Sequence, residues 1–390
     1  MILTEKRKLP LIIAVCSEPG SAKAVAPVIE LLRKEGKTKV LALAFRQASQ
    51  VWKSRNLEYH SPAHSTSLQD TIAFLEKESP VLVLTGTSGL DVEQKRFIAA
   101  ARHLNIPSLA VLDFWTYYIE RFSDGEGKLS YLPDRIAVVD ERMKNDLISS
   151  GFEQSIITIT GNPAHDDLYK WKTGFTADNV LQLRKKLGIN PDDLMVLFAS
   201  QPLSDLFGTD TSNPMYPGYS EKTVFPALAH CLSEIQKHEH KKIILVIRPH
   251  PRENPDYFLN VNTGLLPVSI QNEGDSRDLV MAADIVVGMT TMLLVEACYL
   301  GKVVASLQPG LLGSDPLPTN QTGLSLGIYT YEDISPKLTQ LLQETATRDI
   351  QDGKLEKGKL DDDAAGRVAR CIYRLIGLQS ESEYAIGVEP

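Results

Sequence analysis

Residues 283–306 read ADIVVGMTTMLLVEACYLGKVVAS, and this stretch decides the fold class. Ile285, Val286 and Val287 make a short β-branched run, the signature of a buried strand. Gly288, Met289, Thr290 and Thr291 interrupt it, an apolar helical stretch follows over 292–300, and Gly301 precedes a second β-branched run over 303–306. Strand, turn, helix, glycine, strand is a βαβ unit. Strands that are apolar on both faces need helices above and below a parallel sheet.

The same alternation extends in both directions. Upstream, 194–199, 243–247 and 268–271 read as further strands of the same series. Still earlier, 11–15, 40–44, 81–85, 109–112, 136–139 and 156–160 form a second series. Helical patterns at 22–34 and 92–103 lie between them, with Val25, Val28, Ile29 and Leu32 on one stripe. Polar helical segments at 166–171 and 176–187 separate the two series. A chain of 390 residues is too long for one core, since cores stop growing near ~250–300 residues. The expected division is therefore 1–170, 171–360, and a closing segment 361–390. In that segment 361–378 reads as one helix with Asp361, Asp362 and Asp363 at its positive end, followed by a frayed polar tail. The expected class is α/β, two parallel-sheet αβα domains facing across a cleft. Ligands of open α/β sheets bind outside the carboxyl ends of the strands.

Composition narrows the class of partner. With 43% hydrophobic and 23% charged residues and a net charge of −8, the chain is neither fibrous nor drawn to nucleic acid by long-range charge. No apolar run approaches the ~18–20 residues of a membrane span. The apolar stretch 9–16 is short, contains Pro10, and reads as a first strand instead of a signal peptide. Cys16, Cys231, Cys298 and Cys371 form no CxxC pair, which fits a reducing, cytoplasmic setting without a zinc site or disulfide frame. His238 and His240 read as a solvated helix end, not a metal site.

Four turns carry candidate chemistry. Ser17-Glu18-Pro19-Gly20-Ser21 follows the first strand, and its Gly20 and Ser21 would either receive an anion or sugar group at the helix N-terminus or simply turn the chain. Asp113 ends another strand and is followed by Phe114 and Trp115. It reads either as a general base beside a sugar-stacking ring or as a helix cap beside core aromatics. Arg248-Pro249-His250-Pro251-Arg252 ends the apolar strand 243–247 in a proline-locked basic loop, where Arg248 and His250 suit phosphate oxygens. Gly288, Thr290 and Thr291 open a helix as a phosphate cradle. Glu296 on that otherwise apolar helix would bind ribose hydroxyls or lie on the helix flank. The aperiodic stretch 201–220 reads as a long functional or mobile loop.

The order of these pieces resembles the GT-B superfamily of nucleotide-sugar enzymes. The similarity rests on EPGSAKAVAPVIELL after the first strand, TGNPAHDDL near the end of the first domain, LRKKLGINPDDLMVLFASQP opening the second, and TTMLLVEACYLGKVV. Two branches are similar in layout. The non-hydrolysing UDP-N-acetylglucosamine 2-epimerases carry HGD-type and EAGLR-type segments where this chain has LTGTSGLD and AVLDFWTYYIERF. Bacterial transferases with cytidine-linked donors carry an HP pair followed by a Ser/Thr pair, similar to RPHP with Thr290 and Thr291. The resemblance implies an α/β fold of two Rossmann-like domains facing across a cleft with the C-terminal helix returning to the first, an acceptor-side first domain and a nucleotide-binding second domain. It implies a UDP- or CMP-linked sugar as substrate, no bound metal or other cofactor, and phosphate contacts from Arg248, His250, Gly288, Thr290 and Thr291 with Glu296 on the ribose. The leading expectation is a metal-independent glycosyltransferase with Asp113, and second Glu18, as base, and with Gly20, Ser21 and Trp115 touching acceptor or sugar. The alternatives are a nucleotide-sugar epimerase or hydrolase, and a non-catalytic protein of the same fold.

Overall fold

The computed structural model describes residues 9–62, 67–89, 91–347 and 363–378. The chain divides into two compact units, 1–170 with 361–390, and 171–360. Unit 1 holds β1 (Leu11–Cys16), β2 (Lys39–Ala44), β3 (Leu82–Thr85), β4 (Ser108–Val111), β5 (Arg135–Val138) and β6 (Ile157–Ile159). Unit 2 holds β7 (Leu194–Ala199), β8 (Ile243–Arg248), β9 (Val268–Ile270), β10 (Ile285–Gly288), β11 (Val303–Leu307) and β12 (Leu326–Ile328). Each set forms one six-stranded sheet, in the orders β2-β1-β3-β4-β5-β6 and β12-β11-β10-β7-β8-β9. Every pairing is parallel.

The period-two alternation of a strand sorts the side chains of unit 1 onto two faces. Ile12, Ala14 and Cys16 join Leu82 and Leu84 beneath the helix Pro19–Glu35. Ile13, Val15 and Val83 pack on the other face with Leu75 and Phe97 from the helices Leu68–Glu78 and Glu93–His103. The helix Pro19–Glu35 starts with proline at its first turn and ends at Gly36, whose φ of 65° gives the left-handed C-cap that favours glycine. Unit 2 repeats the plan: Val196, Phe198, Leu245, Ile247 and Val287 form a core with the helices Glu221–Gln236 and Ile334–Thr347.

The closing helix, Ala364–Leu375, packs Val368, Ala369 and Ile372 into the unit 1 core. Its cap differs from the expected aspartate run. Asp361 and Asp362 lie outside the described residues, and the side chain of Asp363 makes no cap bond but pairs with Arg370 at 2.8 Å. The buried amides of Ala364 and Ala365 donate instead to Asp166, at 3.0 and 2.8 Å. A buried carboxylate distant in sequence thus meets the positive helix end. The expected tail after 378 also lies outside the described residues. Within the expected loop 201–220, Leu203–Phe207 forms a short helix.

Candidate functional site

In each sheet the strand order reverses at one point, and that switch point is where open α/β folds take ligands. In unit 1 it falls between β1 and β3. In unit 2 it falls between β7 and β10, flanked by β8.

In unit 2, three adjacent strands deliver polar groups to this place. Gln201, just beyond β7, accepts from the Thr290 amide at 2.8 Å and from the Thr290 hydroxyl at 3.2 Å through Oε1. One amide of the expected phosphate cradle is therefore already bonded. Thr291 caps the helix Met292–Tyr299, its hydroxyl accepting from the Leu293 amide at 3.4 Å. Its own O–H remains available to donate, and the Met292 amide has no acceptor within the helix. Glu296 is half-buried on the same helix. Gly288 is a buried strand residue with no room for a side chain: a Cβ there would sit 2.7 Å from the Ala199 carbonyl and 3.3 Å from Leu294. Its lack of a side chain lets β7 and the helix close on β10.

The basic loop after β8 divides its two candidates. Arg248 turns its guanidinium to the carbonyls of Gln271 at 3.0 Å, Glu273 at 2.6 Å and Gly274 at 2.8 Å. The fork expected on phosphate is spent on holding the segment after β9, because three acceptors there match its geometry. His250 is half-buried, and its Nδ1 accepts from the Arg252 amide at 3.2 Å. The ring proton therefore sits on Nε2, which is left to donate. Burial, with Arg252 as a second cause, lowers the pKa of His250, so the neutral ring is favoured.

Glu253 holds this turn together and was not picked out in the sequence. Its carboxylate accepts from the His250 amide at 2.5 Å and the buried Ser200 hydroxyl at 2.7 Å, tying β8 to β7. Its amide donates back to the His250 carbonyl at 2.8 Å. Burial raises its pKa, and the nearby carboxylates of Glu221 and Asp205 push it the same way against the two hydrogen bonds. These acids share with Tyr257 a recess of about 320 Å³. The signal that could have found Glu253 is the capping-box spacing, an acid three residues after the amide it accepts from. A second unanticipated chain joins Tyr219 to Gln308 at 3.2 Å and Gln308 to Asp315 at 2.7 Å.

In unit 1 the structure brings Asp113 and Gly20 together. A Cβ on Gly20 would collide with Asp113 Oδ2. The anion expected near this helix N-terminus is thus the protein's own carboxylate, and the Ala22 amide is already bonded to the Glu18 carbonyl at 2.9 Å. Asp113 Oδ1 accepts from Arg121 Nη1 at 3.0 Å, and the same nitrogen donates to Thr87 Oγ1 at 2.7 Å. Glu18 is half-buried at the N-cap position, without a side-chain cap bond.

Two expected contacts are corrected. Ser21 is fully buried, and its hydroxyl donates to the Glu18 carbonyl at 3.0 Å, so it closes the turn. Trp115 lies in the core with Phe122, Met143 and Phe152, and its indole N–H donates to Asp140 at 2.9 Å. An indole satisfied in this way gains more from burial than an exposed ring could. Among the described residues, no group of three His, Cys, Asp or Glu side chains could hold a metal ion, and no helix is long and apolar enough to cross a membrane.

No protein-family model and no curated protein sequence matches the chain. Solved structures do. A UDP-N-acetylglucosamine 2-epimerase from Methanocaldococcus jannaschii superposes with a TM-score of 0.67 at 15% identity, covering 93% of this chain and 99% of that one. The UDP-N-acetylglucosamine 2-epimerase of Neisseria meningitidis, bound to UDP-N-acetylglucosamine, gives 0.65 at 17% identity over 93% and 100%. A glycosyltransferase from Rickettsia africae gives 0.63 at 13% identity over 96% and 100%. Two Rossmann-like units with a C-terminal helix returning to the first, matched over nearly the full length of these proteins, give this chain the GT-B fold.

Proposed function

We propose that the chain is an enzyme acting on a nucleotide-activated sugar, with the nucleotide on unit 2 and an acceptor hydroxyl on unit 1. The supporting observation is the convergence of His250, Thr290 and Thr291 at the unit 2 switch point, on a framework fixed by Gln201 and Glu253. The Nε2–H of His250, the Thr291 hydroxyl and the N-terminus of the helix Met292–Tyr299 are donors suited to a phosphate. They stabilise the charge that grows on it as the sugar leaves. Glu296, on the same helix, suits the ribose hydroxyls. Asp113, oriented by Arg121, takes the acceptor proton, with Glu18 as the second carboxylate. The resulting reaction is transfer of the sugar to that hydroxyl without a bound metal.

The fold likeness to two UDP-N-acetylglucosamine 2-epimerases favours a second reading, epimerisation of the sugar without an acceptor. Asp113 and Glu18 would then share the base and acid roles. One experiment separates the readings. Thermal unfolding is followed with UDP, CMP, CDP, GDP and dTDP, and product formation from the matching nucleotide sugar is followed by NMR with and without glycoside acceptors. A ligand at a hundredfold excess over Kd adds about 2.7 kcal/mol of stability. The reading expects a stabilising shift with one nucleotide, lost in His250→Ala. Product from the donor alone indicates the epimerase, and product requiring acceptor indicates the transferase. No shift with any nucleotide refutes both.

A further inference from the structure

With Trp115 in the core, the most exposed Phe, Trp or Tyr ring among the described residues of unit 1 is Tyr117, at 63%. Its backbone is left-handed, with φ at 59°. Of the five described non-glycine residues with positive φ, it is the only aromatic one. For such a residue this conformation costs about 1 kcal/mol or more, and asparagine or glycine would occupy it at lower cost. Tyr117 also stands at the N-cap position of the helix Tyr118–Phe122, where asparagine is again favoured. Backbone preference, capping and burial therefore all argue against tyrosine, yet the surroundings are built to keep this turn.

Arg121 is the clamp. Its amide donates to the Tyr117 carbonyl at 3.1 Å and its Nε to the Thr116 carbonyl at 3.0 Å, while Nη1 reaches Asp113 and Thr87. The arginine that orients the candidate base thus also fixes both peptide units around Tyr117. The turn after β3 supports it from the other side, since a Cβ on Gly89 would be 3.7 Å from the Tyr117 Cβ. A strained, exposed aromatic whose two peptide units are held by the same arginine that binds the Asp113 carboxylate supplies one of the two surfaces that a pyranose needs, and the carboxylate supplies the other. The pyranose C–H face is apolar and stacks on a ring, and its hydroxyls at the edge donate to a carboxylate.

We propose that Tyr117 is the stacking platform for the pyranose ring of a glycoside acceptor, with Asp113 accepting from one of its hydroxyls. This rests on the reading of unit 1 as the acceptor side. The test uses the full chain, Tyr117→Asn and Tyr117→Phe, with the methyl β-glycosides of glucose, galactose and N-acetylglucosamine as probes and cyclohexanol as an apolar control. Saturation-transfer NMR reads the binding, and thermal unfolding reads the fold. The wild type should show saturation transfer to the C–H face of at least one glycoside. Tyr117→Phe should keep that signal within twofold, and Tyr117→Asn should lose at least fivefold of it while its Tm stays level or rises. Glycoside signals unchanged in Tyr117→Asn, or absent from the wild type, would overturn the proposal. So would cyclohexanol signals equal to those of the glycosides, or a Tm several degrees lower in Tyr117→Asn, which would give the ring a role in folding. Nucleotide binding in unit 2 is measured separately, so its failure would count against the enzyme reading and leave the Tyr117 result to be judged on the glycosides.

Discussion

Glu253 gives the most exacting test of how the unit 2 site is held. Its carboxylate accepts two hydrogen bonds, from Ser200 Oγ and the His250 amide, while desolvation and the neighbouring Glu221 and Asp205 raise its pKa above the ordinary 4.5. The native state therefore binds this proton more tightly than the unfolded chain does. The stabilisation from the group is fully present below pH 4.5 and is lost as pH rises through the higher native value. Glutamine is the informative replacement. Its carbonyl can accept from the His250 amide and its NH₂ can donate to Ser200 Oγ, so both links survive without a charge.

The expected outcomes differ in sign. Glu253→Gln should equal the wild type at pH 4 and become the more stable of the two as pH rises toward 8. Glu253→Ala leaves the buried Ser200 hydroxyl and the His250 amide without their acceptor, at about 1–3 kcal/mol for each such group. With partial relaxation the total is roughly 2–4 kcal/mol. At about 2–4 °C per kcal/mol for a unit of this size, Tm should fall by roughly 5–15 °C. Urea denaturation at pH 4, 5, 6, 7 and 8 on the three proteins reads the free energies, and thermal unfolding reads the Tm. A Gln variant as damaged as the Ala variant would show that the charge, not the geometry, holds the turn. A Gln variant with the wild-type pH slope would show that another group titrates.

Three further perturbations follow from the same structure. Asp166→Ala removes the carboxylate that caps Ala364 and Ala365, and should cost about 1–2 kcal/mol; hydrogen exchange at the start of the helix Ala364–Leu375 should quicken, and unchanged exchange would contradict the cap. Gly20→Ala places a methyl group against Asp113 Oδ2 and should displace that carboxylate from Arg121; at least a tenfold loss of turnover with unchanged nucleotide binding is expected, and wild-type turnover would remove Asp113 from the chemistry. Lys302 is half-buried and donates to the Met281 and Ala283 carbonyls at 2.7 and 3.0 Å, and desolvation of its ammonium lowers its pKa to about 8. The unfolded chain holds that proton up to about 10.5, so wild-type stability relative to Lys302→Met should rise between pH 8 and 10.5, and a flat difference would refute the shift.

The parallel sheets were legible because central strands buried on both faces print continuous apolar runs. The eleven expected strands correspond to β1–β11 with ends shifted by a residue or so. β12 was missed for the same physical reason. As Leu326–Ile328 it is three residues long, contains Gly327, lies at the sheet edge and is only partly buried, so neither length nor pattern distinguishes it from a loop. The position of the candidate site was equally legible, since the ends of apolar strands mark where the backbone leaves the core. Asp113, His250 and Thr290 all stand at such ends.

What each side chain does there depends on partners that local sequence does not encode. Arg248 and His250 are two residues apart and looked like one basic cluster. In the sheet, β9 lies beside β8 and brings three carbonyls within reach of Arg248, while the turn through Glu253 takes His250 the other way. Gln201 reaches Thr290 across 89 positions and Ser200 reaches Glu253 across 53, because β7 lies between β10 and β8. Trp115 and Tyr117 show the same limit over two residues. Both are aromatics after a strand-end aspartate, and nothing local says which is buried. Asp140, at the start of the helix Glu141–Ser149, supplies the acceptor that draws the indole inward, and the Arg121 clamp then leaves Tyr117 outside. The sheet order decides which residues meet, so a strand-end motif identifies the location of chemistry before it identifies the residues that perform it.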